Sequence, residues 1–557
     1  MQRSLILLFV MLTSNSLVQI QAEETMSPDV ARKLGLVQVW TRAISAPSGA
    51  QTIKDQQLFV HTESPIEYVE IVRSSAMAMH AKEMMQKDAM MKKEAMMKKD
   101  AMMKASNFSS DDVLTRIRTD RIGSTGNPIG LKEATRLANN EIRKLKRRGI
   151  EAQINVISIH RIHLYSVASN GRVESRNAET GEMVWSVRVG DRRLPYQGIG
   201  VNENHVTIIN GANLIQLDAL NGETITEVRT LKAPLFGAVN SGRFAMIPSI
   251  GGGVQGYPLY DATRDPFLEI VEGSALHLPT KAPGSTKVGW GTDRGFVYVM
   301  ELQGTPSVLF RLNTDGIVSG RIASASGDRF FFGSEQGQVY GIRATRSGKV
   351  LWSQPYGEPF YHAPFVYQET ILLRSAYGNL YALDAKDGSM MWEQTVPNVA
   401  DLLGAFGDHA YVKTLTGGLA TVNLKTGEQT GTFNNVRTER LLTNNLTNRL
   451  YLVSSQGHVQ CLRPEDADLP TFNSQLETAA PVSEEAEEQA PPTTLFDTGK
   501  NPFGPSTDPF DTGGGDAMDD PFGGGGDAKD DPFGGGDAKD DPFGGDDPFG
   551  GDNPFGS

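Results

Sequence analysis

Few residues of this 557-residue chain have the type and spacing that catalysis or metal binding requires. Cys461 is the single cysteine, which excludes a disulfide framework, a CxxCH haem site and a cysteine-based zinc site; we expect it to be a buried small hydrophobe. His160 and His163 lie three apart in a strand-like segment, and odd spacing on a strand puts side chains on opposite faces. We therefore expect surface or lining histidines rather than a shared metal site. The triglycine segment 251–253 lacks the helix and lysine of a phosphate-binding loop. The sequence predicts no catalytic, cofactor-binding or metal-binding residue.

A repeated pattern occupies the middle of the chain. Each copy has a turn glycine, a short hydrophobic strand, Asp or Asn, and a second turn glycine. The clearest copy runs from Gly378 to Gly388, with Trp392 four residues later; Trp185 and Trp352 occupy the same position in other copies. The first turns align at Gly171, Ala212, Gly252, Gly295, Gly337, Gly378, Gly417 and Gly457. Their intervals of 39 to 43 residues fit one four-stranded blade each.

The repeats predict an all-β fold, a β-propeller of eight blades over residues 150–463, with seven blades as the alternative. A blade cannot bury both faces alone, so blades must stack around an axis. We interpret the three tryptophans as planar side chains that dock between adjacent blades. The flanking regions are predicted to be a signal peptide (1–22), a short β-rich segment (23–75), a Met/Lys-rich insertion (76–106), a linker with a basic helix (107–149) and an acidic disordered tail (464–557).

The first residues are typical of a secretory signal peptide. Arg3 supplies a positive charge, residues 5–12 are apolar, and a polar stretch ends at Ala22. An apolar run this short cannot span a bilayer, and no later segment reaches the length that a membrane-spanning helix needs. We therefore expect an exported protein, periplasmic or secreted, without a transmembrane segment.

Between the signal peptide and the repeats, residues 37–40, 58–61 and 66–71 are predicted to form three short strands. We hypothesise that they pair with the propeller where the ring closes. Residues 131–148 predict a helix with Leu131, Ala134, Ala138, Ile142 and Leu145 on one face and Gly149 as its stop. Five of the six residues 143–148 are basic. They could attract polyanions, but cations at a helix C-terminus are also favourable in themselves.

Ten of the 19 methionines lie between Met77 and Met103, in a hexad repeat of the type Ala-Met-Met-Lys-Lys-Glu. A period of six turns the methionine pair by 120° per repeat, so methionine surrounds a helix instead of forming a stripe. Three interpretations remain open: a solvated helix or disordered insertion, a Cu(I) site built from thioethers, and an adaptable binding surface.

The charge of the chain is unevenly distributed. Its net charge is −13, but the residues from Glu465 onward include 23 acidic and 3 basic ones, a balance of −20, which leaves +7 for the remainder. Seven Pro-Phe units punctuate this tail, with Phe at 503, 510, 522, 533, 543, 549 and 555. Charge, Gly and Pro leave too little apolar surface to offset the entropy of ordering. The tail is expected to be a spacer or a weak multivalent binder.

The segments 380–385, Leu-Tyr-Ala-Leu-Asp-Ala, and 178–185, Ala-Glu-Thr-Gly-Glu-Met-Val-Trp, resemble the repeat of pyrroloquinoline-quinone (PQQ) propellers. The resemblance implies one of two classes. Quinoprotein dehydrogenases hold PQQ and calcium at the axis and typically carry a vicinal cysteine pair, which a chain with one cysteine cannot form. The non-catalytic, BamB-like branch binds other proteins through loops and blade edges. This chain departs from that branch as well, because it lacks the lipid-anchor cysteine and adds long extensions.

The resemblance therefore favours a non-enzymatic scaffold without a cofactor in the bacterial cell envelope. A redox propeller that uses PQQ or a metal is the alternative. The expected partners are other envelope proteins, bound through propeller loops or the Pro-Phe tail, and no nucleic acid. The oligomeric state is left open by the sequence.

Overall fold

The structure is a computed structural model that describes residues 26–45, 49–74, 112–123, 126–434 and 436–473. The predicted signal peptide, the Met/Lys-rich insertion and the Pro-Phe units lie outside these residues. Two α-helices are described, α1 (Pro28–Lys33) and α2 (Gly130–Arg147), with a 3-10 turn at Ala50–Thr52. Neither helix has the length and apolar character required to cross a bilayer.

Thirty-one described strands form eight antiparallel sheets, numbered here along the chain. Sheet 1 has the spatial order β3 (Val113–Arg118), β2 (Ile53–Arg73), β4 (Ala152–Ala168), β5 (Arg172–Asn177), β6 (Met183–Arg188). Sheet 2 contains β7 (Tyr196–Val201), β8 (His205–Asn210), β9 (Asn213–Asp218), β10 (Thr224–Arg229). Sheet 3 contains β11 (Val239–Ser241), β12 (Phe244–Pro248), β13 (Val254–Pro258), β14 (Phe267–Glu269). Sheet 4 contains β15 (Thr280–Lys281), β16 (Lys287–Gly291), β17 (Phe296–Glu301), β18 (Ser307–Asn313).

The remaining sheets continue the same order. Sheet 5 contains β19 (Ala323–Ala325), β20 (Arg329–Gly333), β21 (Gln338–Arg343), β22 (Lys349–Pro355). Sheet 6 contains β23 (Phe365–Tyr367), β24 (Thr370–Arg374), β25 (Leu380–Asp384). Sheet 7 contains β26 (Val399–Phe406), β27 (His409–Thr414), β28 (Leu419–Asn423), β29 (Gln429–Phe433). Sheet 8 contains β30 (Leu450–Val453), β31 (His458–Pro464) and, at its outer edge, β1 (Leu36–Ala43).

The sheets pack face to face in a closed circuit. Eight apolar clusters each join one sheet to the next, and the last of them joins sheet 8 back to sheet 1. From sheet 1 to sheet 7, the first strand of each sheet contacts the first strand of the next (β2 serves as the first strand of sheet 1), so these strands line the centre. The all-β propeller predicted from the repeats is confirmed, and its described residues form eight sheets.

The segment ahead of the repeats takes part in the ring. β1 pairs with β31, from Leu36 opposite Pro464 to Ala43 opposite His458. The chain then crosses to sheet 1, where β2 supplies the innermost strand beside β4. The prediction of three short strands is wrong in number, because residues 58–61 and 66–71 belong to the single long strand β2. β2 remains continuous because β4 pairs with it along nearly its whole length, with an irregularity between His61 and Ile66.

Tryptophans link neighbouring sheets by one recurring contact. The indole Nε1 of Trp185, Trp352 and Trp392 donates to a main-chain carbonyl of the following sheet, at 2.9, 3.1 and 2.8 Å, on Ala219, Ala385 and Leu424. The predicted docking of these three tryptophans is confirmed. Trp40 of β1 makes the same contact with the Ala178 carbonyl at 2.9 Å, which joins sheet 8 to sheet 1. Sequence reasoning missed Trp40 because it lies far ahead of the first repeat.

One repeat differs in its turn. The alignment placed the turn between β8 and β9 at Ala212, which left this copy without a turn glycine. In the structure Gly211, one position earlier, adopts a φ of 62° in a two-residue turn. Glycine takes this left-handed conformation without steric cost, so the copy keeps its turn glycine after a shift of one residue.

A small α/β appendage extends from sheet 1. The outer halves of β2 and β4 continue past the end of β5, β3 adds a third strand beside β2, and α2 packs on this extension. Ala134 and Ala138 of α2 are fully buried, and Ile142 and Leu145 pack against the same cluster, as the helix pattern predicted. Leu131 was placed on this face but is 38% exposed.

Candidate functional site

A buried polar cluster lies where sheet 1 packs against sheet 2. We call it the histidine cluster; its members are His61, Thr62, His163, Tyr165, Ser175 and Glu203. Residues two apart on a strand share a face, which brings His163 and Tyr165 of β4 to the same side. Phe59 of β2 is opposite His163, so His61, two residues further along β2, is a diagonal neighbour of His163. Glu203 enters from the turn between β7 and β8.

The cluster is connected from end to end by short contacts. Nδ1 of His61 lies 3.2 Å from Oε2 of Glu203, and Nε2 of His61 lies 2.8 Å from the hydroxyl of Tyr165. Thr62 donates to Oε1 of Glu203 from its main-chain N–H at 2.7 Å and from its hydroxyl at 2.8 Å. Nδ1 of His163 is 3.2 Å from both the Tyr165 hydroxyl and Oγ of Ser175.

The electrostatics define the protonation states. Burial alone would raise the pKa of Glu203, but the hydrogen bonds from His61 and Thr62 outweigh it and the pKa is lowered, so the carboxylate is ionised. Burial, helped by the charge of His61, lowers the pKa of His163 to about 3, which keeps this imidazole neutral. Burial also raises the pKa of Tyr165, which therefore stays a phenol. Nδ1 of His61 faces the ionised carboxylate of Glu203, and Nε2 of the same ring shares a hydrogen bond with the Tyr165 hydroxyl.

A histidine between a carboxylate and a hydroxyl is also the arrangement of a catalytic triad. Here the hydroxyl is inaccessible, because Tyr165 is 0% exposed and His61 is 1% exposed. The cluster therefore joins two sheets and offers no reacting atom to a substrate. The expectation that His163 is a surface or lining residue is wrong, since it is 4% exposed. His160 is half-buried and contacts the ring of Phe472 at a centroid distance of 5.4 Å.

A second group of charged residues lies at the centre of the ring, where the first strands begin. Asp55 of β2 accepts hydrogen bonds from the main-chain N–H of Ile199 at 2.7 Å and of Gln56 at 2.8 Å. Arg440 donates to the carbonyls of Ile53 and Lys54, both at 2.7 Å. Burial raises the pKa of Asp55 in spite of these hydrogen bonds and of the charges of Arg440 and Arg321. The groups therefore clamp sheet 8 and sheet 2 onto β2.

Arg321 lies across from Asp55. Its side chain is exposed to solvent, yet crowding by the surrounding protein lowers its pKa, as expected for a side chain in the narrow centre of a ring. It donates to Oγ1 of Thr280 at 3.0 Å. Nearby, Arg374 contacts the imidazole of His362, whose Nδ1 is 3.8 Å from Asp401.

These central residues do not fit the calcium and PQQ of a quinoprotein dehydrogenase. Calcium takes six to eight oxygen ligands, several of them carboxylate oxygens. Within the described ranges, no group of three or more His, Cys, Asp and Glu residues is placed to hold a metal ion. Asp55 already accepts two main-chain hydrogen bonds beside Arg440, and Asp401 faces His362.

Cys461 is not a reactive thiol. It is fully buried in the cluster between sheets 8 and 1, and burial raises the pKa of its thiol. A thiol that stays protonated at neutral pH is a poor nucleophile. The expectation of a buried small hydrophobe is confirmed.

Several exposed apolar side chains lie on one face of the ring. In an up-and-down sheet, the linkers between successive sheets and the turns between second and third strands lie on the same side, which we call the linker face. Two groups of large apolar side chains are exposed there. The Ile270 patch comprises Leu231, Ile250 and Ile270, and the Tyr377 patch comprises Tyr361, Tyr377 and Leu415.

The members of each patch are neighbours. In the first, the main-chain N–H of Ile250 donates to the carbonyl of Ala233 at 3.0 Å, and a Cβ on Gly253 would lie 3.5 Å from the Cα of Ile270. The triglycine segment 251–253 thus forms the turn on which Ile250 is displayed. In the second, the N–H of Ala376 donates to the carbonyl of Pro359 at 2.7 Å, and a Cβ on Gly378 would lie 2.9 Å from Leu415.

Comparison with known proteins identifies the repeats. Residues 287–468, about a third of the chain, match the family model described as "Outer membrane protein assembly factor BamB". The match begins at β16 and runs through the last repeat and slightly past β31. Residues 287–468 therefore consist of PQQ-like repeats of the BamB-like type, and the resemblance stated from the sequence is confirmed.

Solved structures similar to the chain come from several sources. BamB from Moraxella catarrhalis is 19% identical, with 54% of this chain and 91% of that chain covered and a TM-score of 0.43. Sqt1 of Saccharomyces cerevisiae is 9% identical, with 54% and 92% covered and a TM-score of 0.42. AztD from Citrobacter koseri is 10% identical, with 51% and 85% covered and a TM-score of 0.38. No curated protein matches the chain in sequence.

Proposed function

We propose that this protein is an exported, non-enzymatic β-propeller that acts as a protein-interaction scaffold in a bacterial cell envelope. The observation that carries the proposal is the pair of apolar patches on the linker face. Ile270 is 73% exposed and Tyr377 is 68% exposed, although most of the other large apolar side chains that the structure describes are buried or half-buried. Exposed apolar side chains that are grouped on one face favour a protein partner.

The family match supports the same class of function, because the matching family is described as an assembly factor of the outer membrane. Export is supported by the charge, apolar run and small residue at the start of the sequence.

The patches can be tested in the native cell. A tagged chain carrying Ile250→Asp and Ile270→Asp is crosslinked in envelope fractions and compared with the wild type by mass spectrometry. The matched control carries Ile225→Asp and Val228→Asp, two exposed apolar residues of the outer strand β10. We expect one or more crosslinked partners to be lost in the patch variant and kept in the control. Partners that survive in both variants, or disappear in both, would contradict the assignment.

Export has its own test. Alkaline phosphatase, fused behind Asn473, is active only outside the cytoplasm. Activity that depends on residues 1–22 supports export, and equal activity without them contradicts it.

The alternative, a PQQ- or metal-dependent redox propeller, makes a different prediction. The purified protein is incubated with PQQ and calcium, and dye-linked oxidation of alcohols is followed. Dye reduction that requires PQQ would overturn the non-enzymatic assignment, since a scaffold has no site for this reaction.

A further inference from the structure

We propose that the tip of the appendage binds an anionic phospholipid surface. The appendage consists of β3, α2 and the outer halves of β2 and β4. Its tip is where β2 ends at Arg73 and β4 begins at Ala152, which are paired. From there to His163, where β4 first pairs with β5, the strand rises by about 35 Å at about 3.3 Å per residue. The tip is thus the part of the appendage farthest from the ring.

The direction of α2 brings a cluster of positive charge to this tip. β3 runs from the tip toward the ring, because Val113 pairs with Val72 and Arg118 with Tyr68. α2 therefore begins near the ring and ends at the tip. Gly149 stops the helix with a φ of 79°, and the main-chain N–H of Ile150 donates to the carbonyl of Leu145 at 3.0 Å. The basic residues at the end of the helix and beside it are Arg73, Arg143, Lys144, Lys146, Arg147 and Arg148.

Most of these cations have no anionic partner among the described residues. Lys144 pairs with Glu141 at 2.8 Å. In the part of the chain that the structure describes, none of the other five forms an ion pair, and all five are exposed. Among the described residues of the tip, the carboxylates are Asp112, Glu141 and Glu151, so six described cations and three described anions have a net charge of +3. A helix terminus gains only modestly from nearby cations, and one or two would provide that gain.

The way α2 packs on the sheet favours an extended surface as the ligand. The apolar face of α2 is already buried against β2, β3 and β4, so the helix presents only its charged side. The cations lie around a protruding end and do not line a groove, which disfavours a single small anion. An anionic bilayer can engage all of them together, and each Lys or Arg near such a surface adds attraction. The distance from the ring would leave the linker face free for a protein partner.

The inference goes beyond the proposed scaffold function, and its test needs only purified full-length protein. Sucrose-loaded vesicles of phosphatidylglycerol and phosphatidylcholine are sedimented with the protein and compared with vesicles of phosphatidylcholine alone. We expect binding to the anionic vesicles only, and less binding as salt is added, because ions screen these charges. The variant Lys146→Glu, Arg147→Glu, Arg148→Glu should weaken vesicle binding by about 100-fold or more, at about fivefold for each cation removed.

The matched control is Arg188→Glu, Arg192→Glu, Arg193→Glu, which changes the net charge equally at three exposed arginines outside the appendage. It should bind vesicles like the wild type. If charge reversal at the tip lowers the melting temperature, Lys146→Gln, Arg147→Gln, Arg148→Gln replaces it and should still reduce binding. Equal loss in the control, or binding to phosphatidylcholine alone, overturns the proposal. Binding to double-stranded DNA that matches the vesicles in affinity and depends on the same residues also overturns it, because the tip is then a general polyanion site.

Discussion

Arg449 and Glu179 form an ion pair across the joint that closes the ring. Arg449 directly precedes β30 of sheet 8, and Glu179 lies in the turn between β5 and β6 of sheet 1. Nε and Nη2 of Arg449 donate to Oε2 of Glu179 at 3.0 and 2.8 Å. Nη1 donates to Oδ1 of Asn448 at 2.9 Å, and Nη2 also reaches the carbonyl of Asp468 at 3.1 Å. The guanidinium is only 1% exposed, so its charge depends on these partners.

Removal of one member of this pair should destabilise the protein strongly. In Glu179→Ala a buried guanidinium loses its counter-ion, which typically costs about 3–5 kcal/mol of the free energy of unfolding. The control is Glu272→Ala, which breaks the exposed pair between Glu272 and Arg311 and should cost less than about 1 kcal/mol. Urea unfolding followed by tryptophan fluorescence measures both. Similar losses in the two variants would show that the closing pair is no stronger than a surface pair.

The tryptophan contact at the same joint predicts a second effect. A Cβ on Gly181 would lie 2.6 Å from the indole of Trp40, and Gly181 has a φ of 71°. Gly181→Ala must therefore strain the main chain and displace Trp40. Gly407→Ala is the control, because Gly407 has a φ of 59° but nothing within 4 Å of the added Cβ. We expect the melting temperature of Gly181→Ala to fall further than that of Gly407→Ala. An equal fall would mean that only the main-chain conformation matters.

The sequence was sufficient to predict the repeated part of the fold, because nearly every repeat contains the glycines that form its turns. The glycines and the tryptophan recur at fixed spacing, so strand, turn and docking residue could be placed together. The repeat period carries no information about Trp40, which makes the same contact from a strand outside the pattern. It also says nothing about β3 or α2, since an appendage between the first two strands of a sheet interrupts the period without changing the later repeats.

The histidine cluster could not be found from the sequence. Its contacts join His61 to Tyr165 and Glu203, residues separated by more than 100 positions, and no local spacing marks them. His163 was visible as a residue, but its burial depends on sheet 2 packing over it. The apolar patches were hidden for the same reason, because Ile250 and Ile270 become neighbours only when sheet 3 has formed.

The histidine cluster predicts how stability depends on pH. The pKa of His163 is about 3 in the folded protein and about 6.5 in an unfolded chain. Between these values the unfolded state binds a proton that the folded state does not. Acidification from pH 6.5 toward 3 therefore favours unfolding, by up to about 1.4 kcal/mol per pH unit from this group. The pKa of Glu203 is also lowered in the folded protein. Protonation of this carboxylate at more acidic pH therefore favours unfolding as well.

His163→Gln keeps a polar side chain beside Tyr165 but removes the titrating group. Its free energy of unfolding, measured by urea titration at several pH values below 6.5, should fall less steeply on acidification than that of the wild type. Slopes that coincide would mean that His163 does not control the acid stability.

The end of the last repeat gives a further prediction. The tail was expected to begin at residue 464, but residues 464–473 are described and pack on the ring. Phe472 packs against the cluster between sheets 8 and 1, and the N–H of Thr471 donates to Oδ1 of Asn448 at 3.0 Å. Asp468 pairs with Arg116 at 3.1 Å and with Arg463 at 2.8 Å.

A chain that ends after Pro464 loses all of these contacts, whereas one that ends after Asn473 keeps them. We expect the shorter chain to melt at a lower temperature in calorimetry, and Phe472→Ala in the longer chain to reproduce part of the difference. If the two truncated chains have the same melting temperature, residues 465–473 contribute nothing to the closure of the ring.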